Sequence, residues 1–265
     1  MYPDSTIYYR ETEAAFDEAY AQQLGLPLKQ LDMLRGLETV EDVFEDLEKV
    51  MAKGKKGPCL YILDSLDAVS DRAEKARAID ASTFGGNKPK KLGEMFRRLT
   101  QQMNKANVTF IIISQVRDNI GVTFGDKHTR TGGRALDFYA SQIVWLAHLG
   151  QIHKNIQKIK RTIGVKIRAK VKKNKLGPPF REAEFPILFA FGIDDVAAAR
   201  DWIKQSALPP AIPLCGKDGT WEEYFNRLNK LSAEEFKQER ANLASYVHYE
   251  WARIEASFAP KRSKY

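Results

Sequence analysis

Val108 to Ile113 is a run of β-branched and apolar residues that ends at Ser114-Gln115, and the segment after it is the best equipped for chemistry in this 265-residue chain. The run predicts a strand buried on both faces of a parallel sheet. In open α/β sheets ligands collect beyond the carboxyl ends of the strands, so Gln115 falls where a side-chain amide can sense a bound phosphate. Next come Gly121, Gly125, Gly132 and Gly133, interspersed with Arg117, Lys127, Arg130 and Arg134. Glycine permits close backbone approach and arginine brings positive charge, a combination suited to a phosphate backbone. An ordinary basic surface loop has the same composition. A second apolar run, Cys59 to Leu63, delivers Asp64 to its own carboxyl end, the position from which a carboxylate orients Mg²⁺ and its water shell. An Asp after an apolar strand is common, and alone it decides little.

The elements that must hold these residues alternate between strand and helix. Ser5 to Tyr9 predicts a short strand, and Phe16, Ala19, Tyr20 and Leu24 recur at helical spacing. Thr39 with Asp42 forms an acidic capping signal ahead of one apolar stripe, Val40, Val43, Phe44, Leu47, Val50 and Met51. Leu92, Met95, Phe96, Leu99 and Met103 place another helix before the Val108 strand, and Ile143 to Leu146 and Phe185 to Phe191 complete the expected core strands. From about Asp194 the character changes. Val196 to Ala207 predicts a helix, Leu208 to Pro213 is Pro-rich, and Thr220/Glu223 and Ser232/Glu235 form capping boxes. In the last helix Phe236, Arg240, Leu243, Val247, Trp251, Ile254 and Phe258 fall near one face, a packing pattern. The expectation is an α/β core over residues 1–193 and a helical region over 194–265.

Charge is uneven. The net value of +8 is compatible with a polyanionic partner. From His153 to Lys175 there are ten Lys or Arg residues and no acid, with Val165, Ile167, Ala169 and Val171 alternating with Lys166, Arg168, Lys170 and Lys172. That alternation predicts a half-buried strand with one cationic face, either a solvated edge or a functional surface. Cys59 and Cys215 have no metal-binding spacing and are expected as free thiols. No apolar run approaches the roughly 18 residues of a membrane helix, and the acidic first residues carry no secretory signal. The expected location is the cytoplasm of a bacterial or phage-infected cell.

From Ser114 to Ser141 the chain closely resembles the second DNA-binding loop of the RecA-family recombinases, and residues from about Tyr8 to Ile193 are similar to that family's ATPase core. The resemblance implies a RecA-like fold, a mostly parallel central sheet flanked by helices with a small C-terminal helical appendage. It also implies roles. Glu11-Thr12-Glu13-Ala14-Ala15-Phe16-Asp17 matches the motif whose second acid, Glu13, activates the water attacking the γ-phosphate, while Asp17 and Tyr20 match positions flanking the adenine. Asp64 matches the Walker B acid on the metal, with Ser65 beside it, and Gln115 matches the residue coupling the γ-phosphate to the DNA loop. Arg97 and Arg117 match DNA-contacting arginines. Arg130, Gly132, Gly133 and Arg134 join them on the phosphates, and Phe124 either packs at the base stack or anchors the loop. Phe138 matches an aromatic that crosses to the adjoining subunit, and Lys172 to Phe180 matches the motif whose Lys173 and Lys175 reach the neighbour's ATP. The implied cofactors are ATP and Mg²⁺. The implied partners are single-stranded and duplex DNA and further copies of the chain in a helical filament.

The chain departs from that pattern in three places. It contains no G-x-x-x-x-G-K-[ST]; Gly54-Lys55-Lys56-Gly57 and Gly85-Gly86-Asn87-Lys88 lack the spacing and the preceding strand. In the family that loop precedes the point where this chain begins, so a separate chain carrying it is one expectation and autonomous ATP hydrolysis is not implied. Phe84-Gly85-Gly86 coincides with the family's first DNA-binding loop but matches it poorly, and Asp137 stands where many relatives carry a basic residue. Three readings stay open: a recombinase core, a non-hydrolysing DNA-binding or filament-modulating paralogue, and a RecA-like replication motor or helicase loader.

Overall fold

In the computed structural model the described residues are 5–54, 57–77, 87–118, 128–130, 133–260 and 262. Two packing units are distinguished, Met1–Ile143 with Lys173–Pro179, and Val144–Lys172 with Phe180–Tyr265. Phe84-Gly85-Gly86, Gly121, Phe124, Gly125, Lys127, Gly132 and most of the Lys261 to Lys264 tail lie outside the described residues.

The first unit alternates β1 (Thr6–Glu11), α1 (Glu18–Gln23), β2 (Leu31–Arg35), α2 (Val40–Ala52), β3 (Cys59–Asp64), α3 (Arg72–Lys75), α4 (Asn87–Lys105) and β4 (Val108–Ile112). A two-stranded ribbon, β5 (Val116–Asp118) with β6 (His128–Arg130), and then α5 (Gly133–Tyr139) follow. The sheet runs β2-β1-β3-β4 and is parallel throughout. Helix α2 starts where expected. Thr39 Oγ1 accepts from the Asp42 amide at 3.2 Å and the Asp42 carboxylate accepts from the Thr39 amide at 3.0 Å. Its stripe of Val40, Val43, Leu47 and Val50 and the α4 stripe of Leu92, Met95, Phe96 and Leu99 close over Tyr8, Tyr61 and Leu63.

Arg10 is a charge buried within this core. Arg10, 2% exposed, bonds Asp46 from Nε at 2.6 Å and the Asp32 carbonyl from Nη1 at 2.8 Å, with the rings of Tyr8 and Tyr61 5.1 and 5.4 Å from its guanidinium. The Tyr61 hydroxyl donates to the same Asp46 at 2.8 Å. Burial and then the Asp46 charge hold the Tyr61 phenol above its usual range.

The Val108 strand forms but is not buried on both faces. β4 is an edge strand of the described sheet, and its residues alternate. Val108, Phe110 and Ile112 pack toward the core, while Ile111 and Ile113 are 43% and 42% exposed. A continuous apolar run reads the same whether a strand is central or at an edge, so the period of burial was hidden.

The second unit holds an antiparallel sheet, β10-β9-β8-β7, from β7 (Gln142–Ile156), β8 (Ile159–Asn174), β9 (Glu182–Leu188) and β10 (Gly192–Ile193). Ile143 to Leu146 and Phe185 to Phe191 therefore belong largely to this sheet rather than completing the parallel one, and Val144, Leu146, Phe189 and Phe191 are more than half exposed. Helices α6 (Asp195–Gln205), α7 (Ile212–Cys215), α8 (Trp221–Leu228) and α9 (Ala233–Ser257) follow. The capping boxes at Thr220 and Ser232 both form, and Ile203, Leu214, Tyr224, Phe225, Leu228 and Leu243 make the core. The helical region is thus grouped with the antiparallel sheet. Phe236 and Val247 pack as their spacing predicts, and Phe258 stays exposed.

Candidate functional site

β1 and β3 are in register so that Glu11 lies beside Asp64, and both strands end in acids. Thr12 ties the ends together. Its amide donates to the Asp64 carbonyl at 2.8 Å and its hydroxyl bonds the carbonyls of Asp64 and Ser65 at 3.0 and 2.9 Å. The Asp64–Ser65 peptide is cis. The buried Glu11 Oε1 accepts from the amides of Glu13 and Ala15 at 3.0 and 2.9 Å, winding the following turn around its own side chain. Its Oε2 has no hydrogen bond and lies 3.6 Å from Arg35 Nε, at ion-pair range. This turn presents Glu13 outward, and the buried Ser65 hydroxyl donates to the Glu13 carboxylate. Glu13, Asp64 and Ser65 are therefore together.

The Tyr9 hydroxyl donates to Asp64. Burial, then that bond and the surrounding negative charge, push the Tyr9 phenol above its ordinary range, so it stays a donor and fixes the Asp64 carboxylate. Asp17 caps α1, accepting from the Tyr20 amide at 2.9 Å, and Tyr20 is exposed one turn beyond.

Asp67, in the short turn after Ser65, connects this acid cluster to the basic segment. One of its side-chain oxygens accepts from the Gln115 amide at 2.7 Å and the other lies 3.8 Å from Arg117. Lys88 braces the same turn by donating to the carbonyls of Leu66, at 2.6 Å, and Val69. Burial pulls the Lys88 ammonium below its usual range. Gln115 thus reaches the acids through backbone and Asp67, and Arg117 is the middle residue of β5, which pairs Val116 with Arg130 and Arg117 with Thr129 across to β6. Arg97 is exposed on α4, without an ion-pair partner among the described residues. Phe124 and Gly132 lie outside the described residues, and for Arg130 and Arg134 only the backbone is described. Gly133 begins α5 at φ 59°, a left-handed value that favours glycine.

Lys173 and Lys175 converge on the other end of α5. Lys173 Nζ donates to the carbonyls of Asp137 and, at 3.0 Å, Phe138, and Lys175 Nζ donates to those of Phe138 at 3.1 Å and Tyr139 at 3.5 Å. Cations are favoured at a helix C-terminus. Phe138 projects beside them, 70% exposed. The helix that begins at the end of the basic segment therefore ends in the grip of the two predicted phosphate lysines.

Tyr9, Glu11, Thr12, Asp67 and Lys88 carry no sequence signal for these roles. Glu11 and Thr12 belong to the Glu11–Asp17 motif, and Asp67 is the second acid of Asp64-Ser65-Leu66-Asp67; only the fold shows what they hold. The described part of Asp64's surroundings contains no group of three or more His, Cys, Asp or Glu able to hold a metal alone. Mg²⁺ is commonly bound by one or two carboxylates together with phosphate oxygens, and Asp64 with Ser65 fits that donor set. Cys59 and Cys215 are free thiols. Among the described residues no helix is long and apolar enough to cross a membrane.

Residues 4–194 match the family model of the RecA N-terminal domain. Protein RecA of Thermus thermophilus is 36% identical over 240 residues, covering 89% of this chain and 67% of that protein. Protein RecA of Delftia acidovorans is 32% identical over 242 residues, covering 90% and 62%. Protein RecA of Thioalkalivibrio sulfidiphilus is 31% identical over 262 residues, covering 97% and 71%. The chain thus spans about two thirds of the length of these relatives.

Proposed function

The chain belongs to the RecA family, and from that premise we propose a RecA-like recombinase core that binds single-stranded DNA as an ATP-dependent filament and promotes homologous pairing and strand exchange. The observation that carries this reading is the bridge through Asp67. It joins the Glu13–Ser65–Asp64 cluster to Gln115 and Arg117, the residues that open the DNA-binding segment. A nucleotide at one end and DNA at the other then share one rigid path.

In this reading Glu13 positions the attacking water, Asp64 and Ser65 hold Mg²⁺, and Asp17 and Tyr20 flank the adenine. Magnesium supplies neutralisation of charge on the triphosphate when bound. Lys173 and Lys175 extend to a neighbouring subunit's triphosphate beside Phe138, so assembly completes the site. Arg97, Arg117, Arg130 and Arg134, with the amides of Gly132 and Gly133, hold DNA phosphates, and Phe124 contacts the bases. The proposed location is the cytoplasm. Lys173 and Lys175, gathered beside the exposed Phe138, also fit a second reading, a DNA-binding paralogue that lends these lysines to a neighbour's triphosphate and does not itself hydrolyse ATP. Calorimetric titration of the chain with Mg-ATP separates the two, since only the first requires binding in cis.

Phosphate contacts release counterions and carry no base code. Fluorescence anisotropy with labelled single strands should give an affinity that falls at least about tenfold between roughly 50 and 200 mM salt and varies little with base sequence. Equal affinity at both salts would overturn the DNA-binding reading. A second measurement isolates the lysines. Lys173→Ala with Lys175→Ala should weaken nucleotide-dependent assembly, followed by sedimentation, by about tenfold or more, as expected for loss of two charge-assisted phosphate contacts. Unchanged assembly would leave them as helix caps only.

A further inference from the structure

The cationic face of β8 is neutralised where β9 covers it. Along the base of β8, Lys166 lies 3.0 Å from Glu184, Arg168 lies 2.6 Å from Glu184, and Lys170 pairs with Glu182. β9 supplies these acids and pairs with β8 from Gly164 to Lys170; on the far side of Gly164 the strand continues beside β7 as a two-stranded ribbon. The neutralised base is one wall of a cavity of about 1160 Å³ that lies wholly within the second unit. Helices α6 and α9 form the other walls. They are latched at two levels, by the Arg240–Asp195 ion pair at 2.7 Å and by the rings of Trp202 and Trp251, stacked with centroids 6.0 Å apart. At 1.5 Å per residue the latches stand roughly 10 Å apart along α6.

Between the latches the lining is apolar, with Val196 and Ala199 from α6 and Leu243 and Val247 from α9. The carboxylates of the lining are already matched. Glu182 and Glu184 hold the β8 cations, Asp195 holds Arg240, and Asp201 lies 3.6 Å from Arg200. The unspent groups are of the opposite kind. Lys204 has no ion-pair partner among the described residues, and there the indole N–H groups of Trp202 and Trp251 and the side chains of Gln205 and His248 have no hydrogen-bond partner. Each of these groups can donate a hydrogen bond. Both tryptophans are half-buried, and a donor withdrawn from water without an acceptor is costly. An apolar cavity with spare donors and one unmatched cation fits an apolar molecule that ends in an ionised acceptor.

We propose that this cavity binds a small aromatic carboxylate, its ring packed on the Trp202–Trp251 pair and its carboxylate taken by Lys204 and an indole N–H. Tryptophan accepts a further ring offset or edge-on, at centroid separations of about 4.5–7 Å. Ala198, Ala199 and Ala244 are small enough to leave a flat surface beside it. The size suits such a molecule, since small-ligand cavities run to roughly 1,000 Å³. A nucleic acid would need the β8 cations, and those are spent on Glu182 and Glu184. The site needs no nucleotide and shares no residue with the Glu13–Ser65–Asp64 cluster, so it stands apart from the recombinase reading.

The test titrates the full chain calorimetrically with 2-naphthoate and with 2-naphthamide, an uncharged control of equal size. The acid should bind with a dissociation constant on the order of 0.1 mM, and the amide at least about tenfold more weakly, as expected for loss of a charge-assisted contact. Lys204→Ala should weaken the acid by about tenfold and the amide by less than about twofold. Nitrogen-15 spectra of the indole groups locate the probe. Saturating 2-naphthoate should move the Trp202 and Trp251 signals, assigned with W202F and W251F, and leave Trp145 and Trp221 in place; Trp221 already donates to the Leu208 carbonyl at 3.0 Å. Equal affinity for acid and amide overturns the proposal, as does an unchanged acid affinity in Lys204→Ala or a shift shared by all four signals. So does a concentration-dependent shift of Trp202 and Trp251 in the chain without probe, which would mean that a second copy fills the cavity.

Discussion

Arg10→Ala is expected to destabilise the parallel-sheet unit by about 3–5 kcal/mol, the range for removing one partner of a buried ion pair. The guanidinium is 2% exposed and satisfies both Asp46 and the backbone and side chain of Asp32. Without it, Asp46 keeps only Tyr61 among the partners described above, and the space between the Tyr8 and Tyr61 rings opens. Desolvation opposes the charge of Arg10, yet the bonds to Asp46 and Asp32 outweigh it and hold the group above its usual range, so it stays ionised. The double variant R10M/D46L removes charge and countercharge together and should lose less than Arg10→Ala alone, because the dominant cost is the stranded carboxylate. All four tryptophans, Trp145, Trp202, Trp221 and Trp251, lie in the second unit. The loss should therefore appear in hydrogen exchange of β1 and β3 amides during urea titration and leave the tryptophan fluorescence transition nearly in place. A shift of less than about 1 kcal/mol, or an R10M/D46L loss larger than that of Arg10→Ala, would refute the stranded-charge account.

The contrast between what this network does and what the sequence shows of it indicates where reading a chain stops. The existence of β1, β3 and β4 was legible because β-branched apolar runs bounded by polar residues have few other solutions. The cap of α2 was legible because Thr39 and Asp42 are local to each other. The edge position of β4 was not, since pairing partners, rather than the run itself, decide which residues a strand exposes. In the site, Asp64 and Gln115 could be placed at strand ends from hydrophobic runs alone, and Glu13 through family resemblance. The residues that hold them, Tyr9, Thr12 and Asp67, act across 48 to 55 positions of sequence and carry no local signal. The neutralised base of β8 was closer to legible. Glu182 and Glu184 repeat at the strand period two, as do Lys166, Arg168 and Lys170, so charge-matched pairing of the two segments was written in their spacing.

Gly164 sits where that matched base gives way to the bare ribbon, and Gly164→Val is expected to cost the antiparallel unit about 3 kcal/mol. The residue is buried opposite Leu188, and a Cβ built on it would lie 2.3 Å from the Ile187 carbonyl oxygen and 3.0 Å from the Leu188 Cα. Both obstacles are backbone, so no rotamer change relieves them; β9 must move away from β8. The Phe189-to-Ile163 bond at the same corner should break with it. Expected readouts are a lower denaturant midpoint by tryptophan fluorescence, faster exchange of the Phe189 amide, and unchanged exchange in β1 and β3. Gly150, on β7, is the control, because a Cβ there meets nothing within 4 Å; Gly150→Ala should stay within about 0.5 kcal/mol. Equal midpoints for Gly164→Val and the unmodified chain would mean that β9 does not press against β8 at this point, and that the ribbon does not begin where the register places it.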